Sequence, residues 1–287
     1  MPVQSASAPS GGTLFIVATP IGNLEDLSPR AQRTLAEVAA VCAEDTRHTR
    51  RLLGHYGIDA ELVALHEHNE QALAVRLVQR LQAGESLALV SDAGTPLVSD
   101  PGFRLVAAAR AAGIRVSPVP GPSALIAALS VAGLPSDRFA FEGFLPAKAA
   151  ARRERLQKLA GESRTLLFYE SSHRIVDTLE DMVVAFGSER RAVLARELTK
   201  LFETVLDGSL EALRDRVQAD ADQRKGEFVL VVEGAGDDAD AALAEGRRVY
   251  ALLSSHLPPS AAARLAAEIT GAPRKALYAS GQSSTDG

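Results

Sequence analysis

Three short stretches of the chain place glycine, proline and small polar residues directly after an apolar run. TPIGN (Thr19–Asn23) follows LFIVA, SDAGTP (Ser91–Pro96) follows LALV, and VPGPSA (Val119–Ala124) follows IRVSP. Glycine removes the Cβ, so backbone N–H groups can face a ligand, and proline fixes a loop's shape in advance. One such loop reads as a tight crossover. Three of them at the C-terminal ends of predicted parallel strands occupy the edge where open α/β sheets bind small molecules. The middle one doubles the pattern, because SDAGTPLVSDPG runs on to a second proline and glycine at Pro101 and Gly102. That second pair fits the entry to the next helix.

Other candidate motifs carry less. Gly234, Gly236 and Ala239 have the GxGxxA spacing of a dinucleotide loop, yet Asp237 and Asp238 would repel a pyrophosphate and no strand follows to complete the unit. No GxxxxGK[ST] string is present. His66 and His68 share a strand face as metal ligands can, but no third ligand stands near them; they read as polar loop residues and no metal is expected. Cys42 is the one cysteine, which excludes an internal disulfide, and its apolar neighbours make it a small buried hydrophobe.

The loops need a scaffold. Leu14–Pro20 reads as a strand stopped by proline. LSPRAQRTLAEV follows as a helix with Ser28 as N-cap and Pro29 at its first position. AAVCAE, ELVAL, SLALV and IRVSPVPG read as strands. DTRHTRRLLGHYG reads as a helix closing at Gly54 or Gly57, NEQALAVRLVQRLQAG as one capped by Asn69 and ending at Gly84, and FRLVAAARAAG as a third. This alternation predicts a parallel α/β sheet. A second α/β half follows the helix PSALIAALSVAG, with strands FAFEGFLP, TLLFYE, RRAVLARE and EFVLVVEG, a basic helix over 147–160, and an antiparallel pair within LARELTKLFETVLDG. The expected divisions are a disordered tail (1–12), an N-terminal α/β domain (13–120), a C-terminal α/β domain (121–234), a small-residue linker (235–246) and a small helical domain (247–287).

With 287 residues, 46% hydrophobic and 23% charged, the chain is an ordinary globular sequence of about two domains. A net charge of −5, taken alone, argues against nucleic acid, but a global charge hides local patches. MPVQSASAPSGG lacks a basic n-region and a long apolar core, and no run of about 18 apolar residues occurs, so no membrane partner and a cytoplasmic location are expected.

TPIGNLEDLSPRA, AEDTRHTRRLL, HEHNE, SDAGTPLVSDPG, PGPSALIAAL, FEGFLP, FYESSHR, ARELTK and KGEFVLVVEG, in this order, resemble the ribosomal RNA small subunit methyltransferase I family, a branch of the tetrapyrrole-methylase-like superfamily. The resemblance spans Leu14 to Gly234. It resumes in LAAEITGAPRKALYA, which is similar to the family's helix-turn-helix-like appendage. Departures are small: Leu97-Val98, Ser172 where proline is usual, and Pro259. The resemblance implies a two-domain α/β fold of the tetrapyrrole-methylase type with a C-terminal helix-turn-helix-like extension, and a homodimer. It implies S-adenosyl-L-methionine as cofactor, bound in a cleft between the two α/β domains. The implied reaction is 2′-O-methylation of one cytidine in small-subunit (16S) rRNA near the decoding centre, as naked rRNA or in the assembled 30S subunit. Carried over residue by residue, the cofactor site takes in Asp92, Gly94, Thr95 and Pro96, with Pro20, Ser123 and Ala124 beside them and Tyr169, Gly226 and Phe228 from the second domain. Valine at Gly94 is expected to fill the cofactor's space and leave the fold intact.

A ribose hydroxyl is a weak nucleophile, so a base or a stabiliser of developing charge should help. Candidates are Glu170 in FYES and Glu197 or Lys200 in ARELTK. The plainer reading pairs the two acids with arginines such as Arg174 and Arg196. RNA would be gripped by local patches: Arg47, His48, Arg50 and Arg51 at one helix start, and Lys148, Arg152, Arg153, Arg155 and Lys158 on the basic helix, with Arg274 and Lys275 in the tail. The plainer reading of each patch is a solvated helix face. Two rival functions stay open: a methylase of tetrapyrrole precursors, and a binding module that kept the cleft without turnover.

Overall fold

The computed structural model describes residues 11–66, 68–236 and 239–277. They form two compact units, one holding residues up to Ala160 together with Thr165–Glu233, the other Gly161–Arg164 together with the chain from Gly234.

The first unit begins with the expected alternation: β1 (Thr13–Val17), α1 (Pro29–Glu37), β2 (Ala40–Ala43), α2 (Thr46–His55), β3 (Leu62–Ala64), α3 (Glu70–Gln82), β4 (Leu87–Leu89), α4 (Phe103–Ala111) and β5 (Arg115–Val119). The strands are all parallel in the order β3-β2-β4-β1-β5. Successive residues of one strand feed opposite faces: Leu87 and Leu89 enter one core while Ala88 and Val90 enter the other. Burial on both faces is why these strands read as continuous apolar runs. Cys42 is fully buried there, and burial pushes its thiol up to about 12.

Local signals explain most boundaries. Ser28 Oγ accepts from Ala31 N at 3.1 Å, and Pro29 opens α1. α2 closes at Gly57, whose φ is +67°, and runs through Gly54. Asn69 stands at the N-cap of α3 but does not cap it. Its side chain turns back, accepting from His66 N at 2.9 Å and donating to Ala64 O at 3.0 Å. The expected tail is shorter at its end, since Gly12 N donates to Leu81 O at 2.8 Å. Residues 1–10 lie outside the described residues.

The second sheet contains β6 (Phe139–Phe144), β7 (Thr165–Ser171), β8 (Arg191–Arg196), β9 (Thr204–Ser209) and β10 (Glu227–Val232), in the order β6-β7-β10-β8-β9. β6 and β7 are parallel and the other pairs antiparallel, including the anticipated β8–β9 pair. One face packs under α6 (Ala149–Leu159), α7 (Ile175–Phe186) and α8 (Leu210–Ala219). The other face carries α5 (Ala124–Val131), and Ile21 from the loop after β1 joins that core.

In the second unit α9 (Ala239–Ser254) and α10 (Pro259–Thr270) pack on each other and on residues 274–277. The segment expected as a linker to residue 246 is therefore helical from Ala239. Its alanines are strong helix formers. Gly246 is tolerated mid-helix because a Cβ there would lie 2.6 Å from Ala272 and 2.9 Å from Leu277. Among the described residues, no helix is long and apolar enough to cross a membrane.

Arg152 and Arg153 of α6 both hold Asp181 of α7, Nε to carboxylate at 2.6 and 2.7 Å. Burial would raise the Asp181 pKa, but these hydrogen bonds outweigh it and hold the carboxyl below its usual range. Asp181→Ala strands Arg152, which is 3% exposed, and should cost about 3–5 kcal/mol in urea unfolding. A depressed acid stabilises above its unfolded pKa and loses that contribution as pH falls. The gap between wild type and variant should therefore narrow as unfolding is repeated into the acid range.

Candidate active site

The three glycine–proline loops are bonded into one surface. Thr19 and Gly94 exchange both backbone hydrogen bonds, at 2.9 and 3.0 Å. Thr19 Oγ1 donates to Ser91 O at 3.2 Å, and Thr95 Oγ1 donates to Pro122 O at 3.0 Å. Asp92 accepts from Asp45 N at 3.1 Å, which ties in the loop after β2. Gly94 has φ +85°, and a Cβ on it would stand 3.3 Å from Ile21 Cγ2. Gly102 has φ +126°, and a Cβ there would lie 2.5 Å from Leu89 Cδ2. The two glycines of the middle loop thus solve different problems: one admits a backbone bridge, the other lets the chain pass the core at the end of β4.

Beside this surface is a cavity of about 570 Å³. It brings together Asp92, Gly94, Thr95, Ser123, Ala124, Tyr169, Gly226 and Phe228. Pro20 and Pro96 are buried and do not line it. Tyr169 Oη accepts from Leu125 N at 3.2 Å, at the start of α5. Its ring meets Phe141 and Phe144 edge-on at 4.8 and 5.6 Å. A bulge between Phe141 and Gly143 (φ +64°) turns the end of β6 and aims Phe144 at the cavity. Ile21, Val98 and Leu198 supply further apolar wall that sequence reasoning did not single out.

The charged candidates differ. Glu170 lines the cavity yet is 2% exposed, and both oxygens are engaged: one by Ser171 N at 2.8 Å, the other by Thr178 Oγ1 at 2.7 Å and Arg174 at 3.3 Å. Glu197 pairs with Lys200 at 2.7 Å and accepts from Glu227 N at 2.9 Å. Arg196, its expected partner, instead donates to Lys225 O, Phe202 O and Thr204 Oγ1. Gly226, at φ +100°, makes room for Glu197, whose carboxyl would lie 2.5 Å from a Cβ. Lys200 reaches Glu227 as well, at 2.9 Å, and its stem lies over Gly22 of the first loop. Burial would lower the Lys200 pKa, but its bonds to Glu197 and Glu227 outweigh this and raise it, so the amine stays charged. Asp100 also lines the cavity; burial and the charge of Glu44 push it up to about 6. Only its place in the SDAGTPLVSDPG loop could have flagged it.

The two basic patches separate. Arg47, His48, Arg50 and Arg51 are exposed on α2, with Arg47 paired to Asp45 at 2.9 Å. Lys148, at the N-cap of α6, and Arg153 on α6 are exposed. Arg152 is buried in its bond to Asp181, so it does not share the exposed face expected of it. Arg155 and Lys158 face Glu142 and Glu154. Arg274 and Lys275 are exposed in the second unit. The His66 and His68 rings are 6.1 Å apart, and among the described residues no group of three or more His, Cys, Asp or Glu is placed to hold a metal ion. Asp237 and Asp238 of the GxGxxA string lie outside the described residues.

Residues 13–214 match the family described as Tetrapyrrole (Corrin/Porphyrin) Methylases, and residues 240–282 match the RsmI C-terminal HTH domain. The chain is 71% identical to Ribosomal RNA small subunit methyltransferase I of Xylella fastidiosa, covering 93% of this chain and 98% of that one. It is 60% identical to the protein of the same name from Pseudomonas aeruginosa, covering 94% and 96%. A crystal structure of uroporphyrin-III C-methyl transferase from Thermus thermophilus, complexed with S-adenyl homocysteine, shares the fold with a TM-score of 0.51 and 20% identity over 77% of this chain and 97% of that one.

The bonds around Lys200 give a direct test. Burial pulls the Glu197 pKa up, and Lys200 with the Glu227 N–H pulls it further down, so it lies below the usual carboxylate range. Lys200→Met should raise the Glu197 midpoint in a carbon-detected NMR titration of the carboxyls. An unchanged midpoint would show that the pair does not form.

Proposed function

The chain belongs to the tetrapyrrole (corrin/porphyrin) methylase family and, within it, to the ribosomal RNA small subunit methyltransferase I group; from that premise we propose that it methylates the ribose 2′-oxygen of a cytidine in small-subunit rRNA near the decoding centre, with S-adenosylmethionine as donor. The observation that carries this reading is the cavity built from the three stitched loops. Its volume of about 570 Å³ falls within the ~300–1,000 Å³ of small-molecule clefts. Apolar wall from Ile21, Val98 and Leu198 suits a purine and an aliphatic chain, and the carboxylates of Asp92 and Asp100 suit a cationic ligand. The related Thermus thermophilus enzyme was crystallised with S-adenyl homocysteine, which supports the choice of donor.

When bound, the donor supplies a methyl group already activated by a positively charged sulfur. The chain's own residues then have to hold and align. Gly94, Thr95, Ser123 and Ala124 form the wall on the first sheet's side, and Tyr169, Gly226 and Phe228 the wall on the second's. Alignment of this kind lowers a barrier by up to about 7–11 kcal/mol. Lys200 is a poor base, because its two carboxylate partners keep it protonated; a fixed cation at the cavity wall instead stabilises an oxygen gaining negative charge. Glu170, with both oxygens engaged, positions the β7 end. Exposed Arg47, His48, Arg50, Lys148 and Arg153 supply phosphate contacts. A homodimer working in the cytoplasm on rRNA or the 30S subunit completes the reading.

Incubation with labelled donor and small subunits lacking the methyl group, followed by digestion and mass spectrometry of the nucleosides, should yield 2′-O-methylcytidine. Transfer to a tetrapyrrole precursor, or to no acceptor, would overturn the reading. Valine at Gly94 is a poor probe of the donor site, since φ +85° and the Thr19 bridge make any side chain there a strain on the fold. Ala124→Leu is cleaner. It fills cavity from a helical position and should abolish donor binding in calorimetry with little change in melting temperature.

A further inference from the structure

The two basic runs look alike in sequence but differ in what their charges already do. On α6 the acids are close: Arg152 and Arg153 share Asp181, Arg155 meets Glu142, and Lys158 pairs with Glu154 at 2.7 Å. Lys148, at the N-cap, is the one cation of that run without an acidic partner among the described residues. α2 is built the other way. Its residues, TRHTRRLLGH, include three arginines and two histidines and no acid. Thr49, Leu52 and Leu53 are buried, which turns Arg47, His48, Arg50, Arg51 and His55 outward. Asp45, the N-cap, pairs with Arg47. Arg50 and Arg51 have no carboxylate within ion-pair distance among the described residues.

This arrangement works against the helix. Like charges three and four residues apart repel, and cations in a first turn face the positive end of the helix dipole. A surface that breaks local rules with no compensating bond inside the chain is where a function is expected. Its chemistry is narrow. It offers guanidinium groups for phosphate contacts and exposes no Phe, Tyr or Trp on which an unpaired base could stack. Tyr56, at the C-cap, is half-buried, and its hydroxyl donates to Leu24 O. Paired RNA is recognised in this way, through backbone and shape, because its deep groove hides the base edges.

We propose that the exposed face of α2 docks a double-helical stretch of the rRNA substrate by its phosphates, with Arg50 and Arg51 as the principal contacts. The proposal rests on the rRNA methyltransferase reading above. Lys148 and the exposed part of Arg153 are what α6 has left to add, since its other cations hold acids of the chain itself. Arg50 and Arg51 do not line the cavity, so their task is separate from it: they hold RNA without reading its sequence.

The full chain is titrated with an RNA duplex of about 20 base pairs and arbitrary sequence, and with one of its single strands, by fluorescence anisotropy over about 50–200 mM salt. Wild type should prefer the duplex. Arg50→Gln together with Arg51→Gln should weaken duplex binding about tenfold and flatten the slope of log affinity against log salt by about one to two. Arg155→Gln together with Lys158→Gln removes the same amount of charge from α6, so any effect of net charge alone is matched; this variant should bind within about twofold of wild type. On small subunits lacking the methyl group, the α2 variant should raise KM about tenfold at unchanged kcat, because the two arginines hold substrate equally before and during transfer. Its melting temperature should not fall, since like charges leave an exposed face. An equal loss in both variants would mean diffuse attraction and overturn the proposal. So would a wild type that binds no duplex or prefers the single strand. If wild type methylates subunits and the α2 variant does so with unchanged KM, α2 is not the docking face and the function reading stands. If wild type holds duplex through α2 yet methylates no subunit, the function reading falls and the docking face stands.

Discussion

The site depends on the pair of backbone hydrogen bonds between Thr19 and Gly94. β1 and β4 are already neighbours in the parallel sheet, and this bridge extends their association past the strand ends into the loops. It requires a residue free to adopt φ +85° at position 94. Once it forms, Thr95 reaches Pro122 and Asp92 reaches Asp45, so four loops of one sheet edge move together. Loops are ordinarily the most mobile part of an α/β unit. Here they share the rigidity of the sheet, and the wall of the larger cavity is set before any ligand arrives.

The opposite wall is held by charge instead of backbone pairing. Lys200 sits between Glu197 and Glu227 and lays its stem over Gly22 of the first loop. Gly226 exists in that arrangement to give Glu197 space. The consequence is a fixed positive charge on a cavity otherwise rich in carboxylates. Asp100, which has no such partner cation among the described residues, is the acid whose proton affinity rises, chiefly through burial. Placing one acid beside a lysine and leaving another beside other acids drives their proton affinities apart.

Much of this was legible in the chain. Ser28-Pro29 marked the start of α1, short apolar runs marked the strands, and the three glycine–proline loops marked the sheet edge beside which the cavity lies. The cavity gathers eight of the ten residues carried over to a cofactor site. What escaped was tertiary. Asn69 has a capping residue's type and position, yet its side chain is more useful bonding His66 and Ala64. Arg152 looks like its neighbours in a basic run, but helical phase turns it inward onto Asp181. Residues 239–246 look like a linker because their alanines and glycine are small, yet alanine also favours helix, and at Gly246 a Cβ would meet Ala272 and Leu277. Asp100 has its place in the SDAGTPLVSDPG loop as a signal, but its raised proton affinity comes from burial and from Glu44 at another strand end.

Backbone strain points to the same two walls. Among the described residues, four that are not glycine have positive φ: Leu97 and Ser99 in the loop after β4, and Glu197 and Thr199 in the loop after β8. Each such residue costs about 1–3 kcal/mol, so the four together consume a noticeable part of a typical stability margin. Random placement would scatter them over many turns; instead they flank one cavity, two on each side. The loops bearing them are tied down, by the Thr19 bridge on one side and by Arg196 and the Glu197–Lys200 pair on the other. Those bonds are what allow the strained conformations to persist. In return, Val98 and Leu198, each the middle residue of a strained pair, both line the cavity. The strain is therefore the cost of presenting an apolar side chain from each wall at a fixed place, which a relaxed loop could do only by ordering itself each time a ligand bound.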